Sequence, residues 1–248
     1  MKMRNYLLLF SLLLSLTQCS KSDAVNGTNS ANNQTLGTSA NDFLSSNKFT
    51  SLTIQLQYMP GFAPDATALN NLTNFLNSLL NKPEGISIIQ TPIAASGKAS
   101  LSIDDIVKIE NTNRTAFNNG KNIAVYVLYA DAPFTQNNVL GIAYKNTSLV
   151  IFAATINANS GGLNQTSRTK LETVVTEHEF GHLLGLTDLG TKMVTPHKDA
   201  ANGSHCNNTN CLMYYASQTT MIGGLILTGP IPTLDANCRA DLQANGGK

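Results

Sequence analysis

Two histidines four residues apart, His178 and His182, set the first requirement on how this chain folds. On a helix of 3.6 residues per turn both imidazoles leave the same face and can bind one metal ion, about 2 Å from each nitrogen. Glu179 stands beside the pair, where its carboxylate can reach a metal-bound water without binding the metal, as a general base requires. Gly185 comes three residues after His182, where a helix can end in a left-handed turn. The pattern therefore predicts a helix that carries a zinc site.

The alternative is a helix in which these residues meet the pattern by accident. His-Glu-x-x-His is the pattern of metalloproteases, but five residues also occur together in unrelated proteins. Only four histidines are present in the chain, and this motif contains two of them. Because one motif contains half of the histidines, the zinc-enzyme interpretation is favoured over an accidental match.

The first residues have the pattern of an export signal. Lys2 and Arg4 precede an apolar run over residues 6–16, too short for a permanent transmembrane helix. We assign residues 1–18 to a signal peptide. Cys19 directly after this run resembles the lipobox of bacterial lipoproteins, although Gln18 replaces the usual small residue. We expect a lipid on Cys19 and a location at a bacterial cell envelope, on the outer membrane or cell surface; ordinary secretion is the alternative.

Composition divides the remaining chain into two parts. Residues 19–47 are rich in Ser, Asn, Thr and Gly, so we expect the lipidated Cys19 and a flexible tether, with an inhibitory pro-segment as the alternative. Residues 48–248 are long enough for one domain with its own core. The formal net charge of +1, without basic clusters, argues against nucleic-acid binding. We expect a monomer.

The order of predicted elements indicates an α/β domain. Period-2 alternation or a continuous apolar run predicts strands, and a 3.6-residue stripe predicts helices. The predicted strands cover residues 49–58, 85–93, 122–129, 142–144 and 148–156, and the predicted helices residues 65–80, 103–117 and 166–184. This order predicts a mostly parallel sheet backed by helices.

With His178-Glu179-x-x-His182-x-x-Gly185, this order resembles the metzincins, a clan of zinc endopeptidases. The resemblance implies a twisted, mostly parallel sheet with an antiparallel edge strand, and a small C-terminal subdomain with a methionine turn and a terminal helix. Met213 would form the hydrophobic floor of the site, although a core filler is the commonest role of methionine. Tyr215 has the spacing at which astacins and serralysins carry a tyrosine that stabilises the oxyanion; packed core is its alternative.

Two branches of the clan imply different third zinc ligands. Asp188 completes the snapalysin pattern, whereas His205, directly before Cys206-x4-Cys211-x-Met213, resembles the archaemetzincin pattern. His205 is our preferred ligand because imidazole is the commoner one, and the segment 186–204 can be a surface excursion. Asp188 stays the alternative, followed by His197.

Three cysteines remain when Cys19 is set aside. Cys206 and Cys211 are close enough for a local disulfide, which suits an exported protein, and Cys238 would be buried in the last helix. Archaemetzincins hold a second, structural zinc with four cysteines. That resemblance implies a second site at Cys206, Cys211 and Cys238, with Asp241 at the position of the fourth cysteine. We prefer the disulfide.

The expected function is a zinc-dependent endopeptidase that hydrolyses peptides or proteins and is anchored to the membrane by its lipid. We expect residues 148–156 to form the edge strand that pairs with an extended substrate. Glu179 would take the proton of the zinc-activated water. Two alternatives stay open: a peptide-binding lipoprotein without turnover on a metzincin scaffold, and a zinc hydrolase of cell-wall peptides.

Overall fold

The structure, a computed structural model, describes residues 30–219 and 229–248. The expected signal peptide, Cys19 and the first part of the expected tether lie outside the described residues. In the two described ranges no helix is long and apolar enough to span a bilayer.

The centre of the fold is a five-stranded sheet with strand order β2-β1-β3-β5-β4. The strands are β1 (Ser51–Tyr58), β2 (Ile86–Pro92), β3 (Asn122–Tyr129), β4 (Gly141–Lys145) and β5 (Ser148–Ile151). All neighbouring pairs are parallel except β4 and β5, so β4 is an antiparallel edge strand. The predicted α/β fold with an antiparallel edge is therefore confirmed. All but the first residue of the central strand β3 are buried, as its continuous apolar sequence predicts.

Six helices accompany this sheet in the described residues. They are α1 (Ala40–Leu44), α2 (Ala66–Leu79), α3 (Ile103–Asn113), α4 (Ala153–Ala158), α5 (Arg168–Leu183) and α6 (Ala236–Ala244), with a short 3-10 helix at Tyr215–Gln218. Side chains cap the longer ones. Asp65 accepts a bond from the Ala68 N–H at the start of α2, and Ser102 forms a reciprocal capping box with Asp105 at the start of α3. α3 ends four residues before the predicted boundary, at Asn113.

Apolar side chains form a core on each face of the sheet. The larger core lies between the sheet and the helices α1, α2 and α5, and includes Leu72, Val127 and Val174. The smaller core lies against α3 and includes Tyr126 and Phe152. The larger core also contains side chains of α5 and of the segment before α6, so the helix with the histidine motif is anchored in the main core.

The prediction for residues 148–156 is wrong in two respects. The strand ends at Ile151, and α4 follows from Ala153. In addition, β5 lies inside the sheet between β3 and β4, so the edge strand is β4. The run from Ser148 to Ile156 is mostly apolar because both its strand and its helix are buried, and periodicity alone does not separate these two cases.

The expectation of a flexible tether is wrong for residues 30–47. Phe43 and Leu44 on α1 are fully buried in the main core. The buried Asn32 amide donates to the Ala124 carbonyl at 3.1 Å and to the hydroxyl of Thr147 at 3.1 Å. The segment folds despite its polar composition because its asparagines satisfy buried polar groups and its few apolar residues fill the core. The folded domain therefore begins well before residue 48.

Candidate metal centre

The helix α5 carries the histidine motif through the interior of the protein. It begins at the N-cap Ser167, whose hydroxyl accepts a bond from the Lys170 N–H. Every residue from Leu171 to Leu183 is buried. A helix buried on all sides has no solvent-facing stripe, and its polar residues therefore need partners inside the protein. His178, Glu179 and His182 are such residues.

A left-handed turn ends this helix and redirects the chain. Gly185 has a φ of +74°, and a Cβ there would lie 2.7 Å from the Thr191 nitrogen, so glycine is required. The Thr187 hydroxyl then donates to the Ser204 carbonyl. This bond ties the end of the excursion to its beginning and brings His205 back to α5.

The structure places His205, and neither of the other two candidates, beside the histidine pair. Ligand atoms of His178, His182 and His205 all lie within 4.8 Å of one another. Asp188 is exposed and outside this group. His197 is buried, but its partners are Cys206 and Asp241.

Backbone carbonyls orient two of the three imidazoles. Nδ1 of His178 lies 2.8 Å from the Leu212 carbonyl oxygen, and Nδ1 of His205 lies 2.6 Å from that of Asn202. A carbonyl only accepts hydrogen bonds, so in both rings Nδ1 carries the proton and Nε2 keeps its lone pair. This is the tautomer in which Nε2 can bind a metal.

Burial keeps the three imidazoles neutral. It lowers the pKa of His178 to about 3 and moves those of His182 and His205 below their usual value, with the neighbouring imidazoles adding to the shift for His178 and His182. Nε2 of His178 and Nε2 of His182 are only 3.1 Å apart. Three neutral, converging imidazoles form a donor set that zinc accepts.

Unpaired polar atoms support this fit. Among the described residues, Nδ1 of His182, Nε2 of His205 and Oε1 of Glu179 are buried and have no hydrogen-bond partner. Each such atom costs about 1–3 kcal/mol if it stays unpaired. A metal ion and its water molecule would provide partners for Nε2 of His205 and Oε1 of Glu179.

Glu179 lies between the histidines and the edge strand. Its Oε2 accepts a bond of 2.7 Å from the Ala143 N–H of β4, and burial raises the pKa of its carboxyl to about 8, against the effect of that bond. A Cβ on Gly141 would lie 2.8 Å from Cγ of Glu179, so only glycine lets β4 approach this closely. One oxygen is thus fixed, and the other is left for a ligand.

Met213 is fully buried directly against the motif helix. A Cβ on Gly181 would lie only 2.2 Å from its Sδ. The Met213 carbonyl accepts a bond of 2.8 Å from the Cys206 N–H, next to His205. Tyr215 is half-buried at the start of the 3-10 helix, with its ring edge-on to Tyr214 at a centroid distance of 4.6 Å.

The expected disulfide between Cys206 and Cys211 is absent. These two residues and Cys238 are free, buried thiols. The structure instead gathers all three with Asp235 in a second group of metal-ligand type. Asp241, the expected fourth member, is bonded to Nε2 of His197 at 2.7 Å. Sγ of Cys211 lies 3.6 Å from Sγ of Cys238, which the distant helix α6 brings to the group.

Several groups of the site carry no signal in the sequence. The carbonyls of Leu212 and Asn202 and the N–H of Ala143 are backbone groups, which every residue has. Only their positions in the fold make them partners of His178, His205 and Glu179. The sequence also does not indicate the role of the Thr187 hydroxyl, because threonine is an ordinary residue after the end of a helix.

The crystal structure of archaemetzincin from Methanopyrus kandleri is similar, with a TM-score of 0.53 and 14% identity, covering 79% of this chain and 96% of that chain. This similarity shows a metzincin-like fold. No curated protein sequence matches the chain. The family model Reprolysin_5, described as metallo-peptidase family M12, matches residues 13–223. That match covers most of the sequence, and the chain therefore belongs to metallopeptidase family M12.

Proposed function

We propose that this protein is a zinc-dependent endopeptidase whose metal ligands are His178, His182 and His205. The observation that carries the proposal is the convergence of three neutral, buried imidazoles beside the unpaired oxygen of Glu179. Membership of a metallopeptidase family supports the reaction class. When bound, the zinc ion supplies a Lewis acid that polarises the scissile carbonyl and acidifies a water molecule.

Glu179 acts as the general base in its ionised form, which the positive charge of a bound zinc ion would favour against the effect of burial on its pKa. Its Oε2 is held by the Ala143 N–H, so Oε1 is the atom that accepts the proton of the attacking water. The new C–O bond forms as the water attacks the carbonyl carbon. When the C–N bond breaks, Glu179 returns the proton to the leaving amine. Tyr215 as a stabiliser of the oxyanion stays a prediction that rests on its spacing alone.

The strand β4 binds the substrate by main-chain pairing. It is one of the two edge strands of the sheet, and β5 pairs with only one of its sides. The Ala143 N–H of β4 is bonded to Glu179, so a peptide that pairs with the other outward main-chain groups of β4 would run past the base and the three histidines. Main-chain pairing of this kind holds the middle of a peptide and favours endopeptidase over exopeptidase cleavage.

The location is part of the proposal. The lipobox-like sequence at Cys19 would anchor the enzyme, as a monomer, to a bacterial envelope membrane. Because residues 30–47 pack on the domain, the link between lipid and domain is limited to about residues 20–29, or at most about 35 Å of extended chain. The enzyme would therefore work close to the membrane surface.

Replacement of Glu179 by glutamine tests the mechanism. Glu179→Gln keeps the size of the side chain but removes the base, so we expect the zinc content to be unchanged and hydrolysis to fall by about 10²-fold or more. The substrate is a quenched fluorescent peptide library with blocked termini, which an exopeptidase cannot cleave. Glu177→Gln is the matched control, because it makes the same change two residues away on the same helix.

Three outcomes would contradict the proposal. Full activity in zinc-loaded Glu179→Gln would eliminate the proposed base. A wild-type protein that binds zinc but only retains peptides would instead be a binding protein. Cleavage restricted to cell-wall peptides, with none of the blocked library peptides cut, would indicate the cell-wall hydrolase.

A further inference from the structure

A cavity of about 340 Å³ lies on the side of α5 that faces α2, outside the histidine site. The helices α2 and α5 form two of its walls, and the segment 231–234 together with α6 forms the third. Its lining contains none of the three histidines, no residue of β4 and not Glu179. A volume of this size is at the lower end of the range for small-molecule sites.

Helix geometry separates this cavity from the metal ligands. Thr173 and Glu177 are four residues apart on α5, so they share one face of the helix, and both line the cavity. His178 and His182 share another face, about 100° further round the helix. The cavity and the histidine site therefore lie on different faces of the same helix.

Glu177 lies in this cavity without a partner. Only 6% of the residue is exposed, and among the described residues no group donates a hydrogen bond to its carboxylate or forms an ion pair with it. A buried carboxylate without a partner is costly, because burial removes the water that would solvate its charge. A cationic group that enters the cavity would compensate for that loss.

The remaining lining offers an apolar wall and a positive charge. Phe75, Ile231 and Leu234 form the apolar wall and pack against the main core. Arg239 is exposed at the rim, and its guanidinium has no ion-pair partner in the part of the chain that the structure describes. Glu177 and Arg239 thus line one cavity without pairing with each other.

This combination favours an organic cation over a metal ion. Glu177 is the only acidic residue in the lining. Calcium takes six to eight oxygen ligands, commonly from several carboxylates, and magnesium takes six. An ammonium or guanidinium group needs only one carboxylate, which it binds through charge-assisted hydrogen bonds. A ligand that also has an apolar stem and a carboxylate would use the other two parts of the lining.

We propose that this cavity binds a basic amino acid of the lysine or arginine type, either free or as the C-terminal residue of a peptide. The side-chain cation pairs with Glu177, and the carboxylate pairs with Arg239. The methylene stem between them lies against Phe75 and Ile231. A ligand bound in this way links α2, α5 and α6, and therefore stabilises the folded protein.

Calorimetric titration of the full-length, zinc-loaded protein at pH 8 tests this site. L-Arginine should bind with a dissociation constant at or below about 1 mM. L-Citrulline has nearly the same shape but no cation, and should bind at least about 10-fold more weakly. Agmatine lacks the carboxylate and should also bind more weakly than L-arginine.

The same titration separates the two sources of the ligand. The dipeptide glycyl-arginine keeps the C-terminal carboxylate, and its amide does not. Binding of the dipeptide as tightly as L-arginine, with loss of binding in the amide, would assign the cavity to peptide C-termini. Binding of L-arginine alone would assign it to the free amino acid.

Two variants and two controls locate the ligand. Glu177→Gln should weaken L-arginine binding at least about 10-fold and leave L-citrulline binding unchanged, because only the cation loses its partner. Arg239→Gln should weaken L-arginine binding and leave agmatine binding unchanged. Glu84→Gln, which removes an exposed carboxylate, should bind L-arginine as the wild type does. Glu179→Gln should do so as well, because the cavity lies outside the histidine site.

Three results would overturn the site. One is the absence of detectable binding of both L-arginine and glycyl-arginine to the wild type. Another is equal affinity of the wild type for L-arginine and L-citrulline, which would remove Glu177 from the ligand. The third is loss of L-arginine binding in Glu179→Gln but not in Glu177→Gln, which would place the ligand at the histidine site. None of these results depends on peptide hydrolysis, so failure of this inference and failure of the proposed enzyme are distinguishable.

Discussion

Glu177 gives a prediction whose size follows from the structure. It lies on α5 directly before His178, only 6% of it is exposed, and burial raises the pKa of its carboxyl to about 7 from 4.5. A raised pKa means that the folded protein opposes ionisation more than the unfolded chain does. Glu177→Gln, which mimics the protonated form, should therefore stabilise the protein wherever the unfolded carboxyl is ionised.

The direction of the stability difference and the pH range over which it develops follow from the two pKa values, 4.5 in the unfolded chain and about 7 in the folded protein. Below about pH 4.5 the carboxyl is protonated in both states, and the two proteins should be equally stable. Between the two values the wild type loses about 1.4 kcal/mol of relative stability per pH unit. Above pH 7 the difference is complete, and amounts to about 3 kcal/mol in favour of the glutamine variant.

Urea unfolding of both proteins at pH 4, 6 and 8 measures the difference. Glu84→Gln is the control, because it removes the same charge from an exposed position. A gain for Glu177→Gln that does not change with pH would refute the reasoning. A more stable wild type at pH 8 would do so as well, and would show that the carboxylate finds a cation, such as Arg239, which lines the same cavity.

Three further predictions concern the floor of the site, the N-terminal segment and the anchor. Gly181→Ala should destabilise the protein by about 1–3 kcal/mol in thermal unfolding and lower its zinc affinity, because the new Cβ would clash with Sδ of Met213. An unchanged melting temperature would contradict this packing. Asn32→Ala should cost about 2–3 kcal/mol because four hydrogen bonds of its buried amide are lost, whereas Asn33→Ala at the exposed neighbouring position should cost little. Equal effects of the two substitutions would argue that residues 30–47 are a tether after all. The wild type should partition into detergent and Cys19→Ser should not; equal partitioning would exclude the lipid anchor.

Short-range patterns in the sequence were sufficient for much of the fold. The strands β1, β2 and β3 and the helices α2 and α5 are found within a few residues of their predicted bounds, because period-2 and 3.6-residue patterns depend only on neighbours along the chain. The spacing of His178 and His182 likewise determined that both imidazoles share one face of a helix. The left-handed turn at Gly185 followed from the same local reasoning.

Contacts between distant parts of the chain decided the rest. Spacing could not choose between Asp188 and His205, because the choice depends on how the excursion returns to α5 through the bond from Thr187 to Ser204. Composition suggested a tether for residues 30–47, but it does not reveal that Asn32 bonds to buried groups of a strand and a turn about a hundred residues away. The pairing of the cysteines was undetermined for the same reason, because Cys238 reaches Cys211 only when α6 packs beside the methionine turn. Hydrogen bonds and sets of metal ligands depend on distances in space, and the separation of residues in the sequence does not determine those distances.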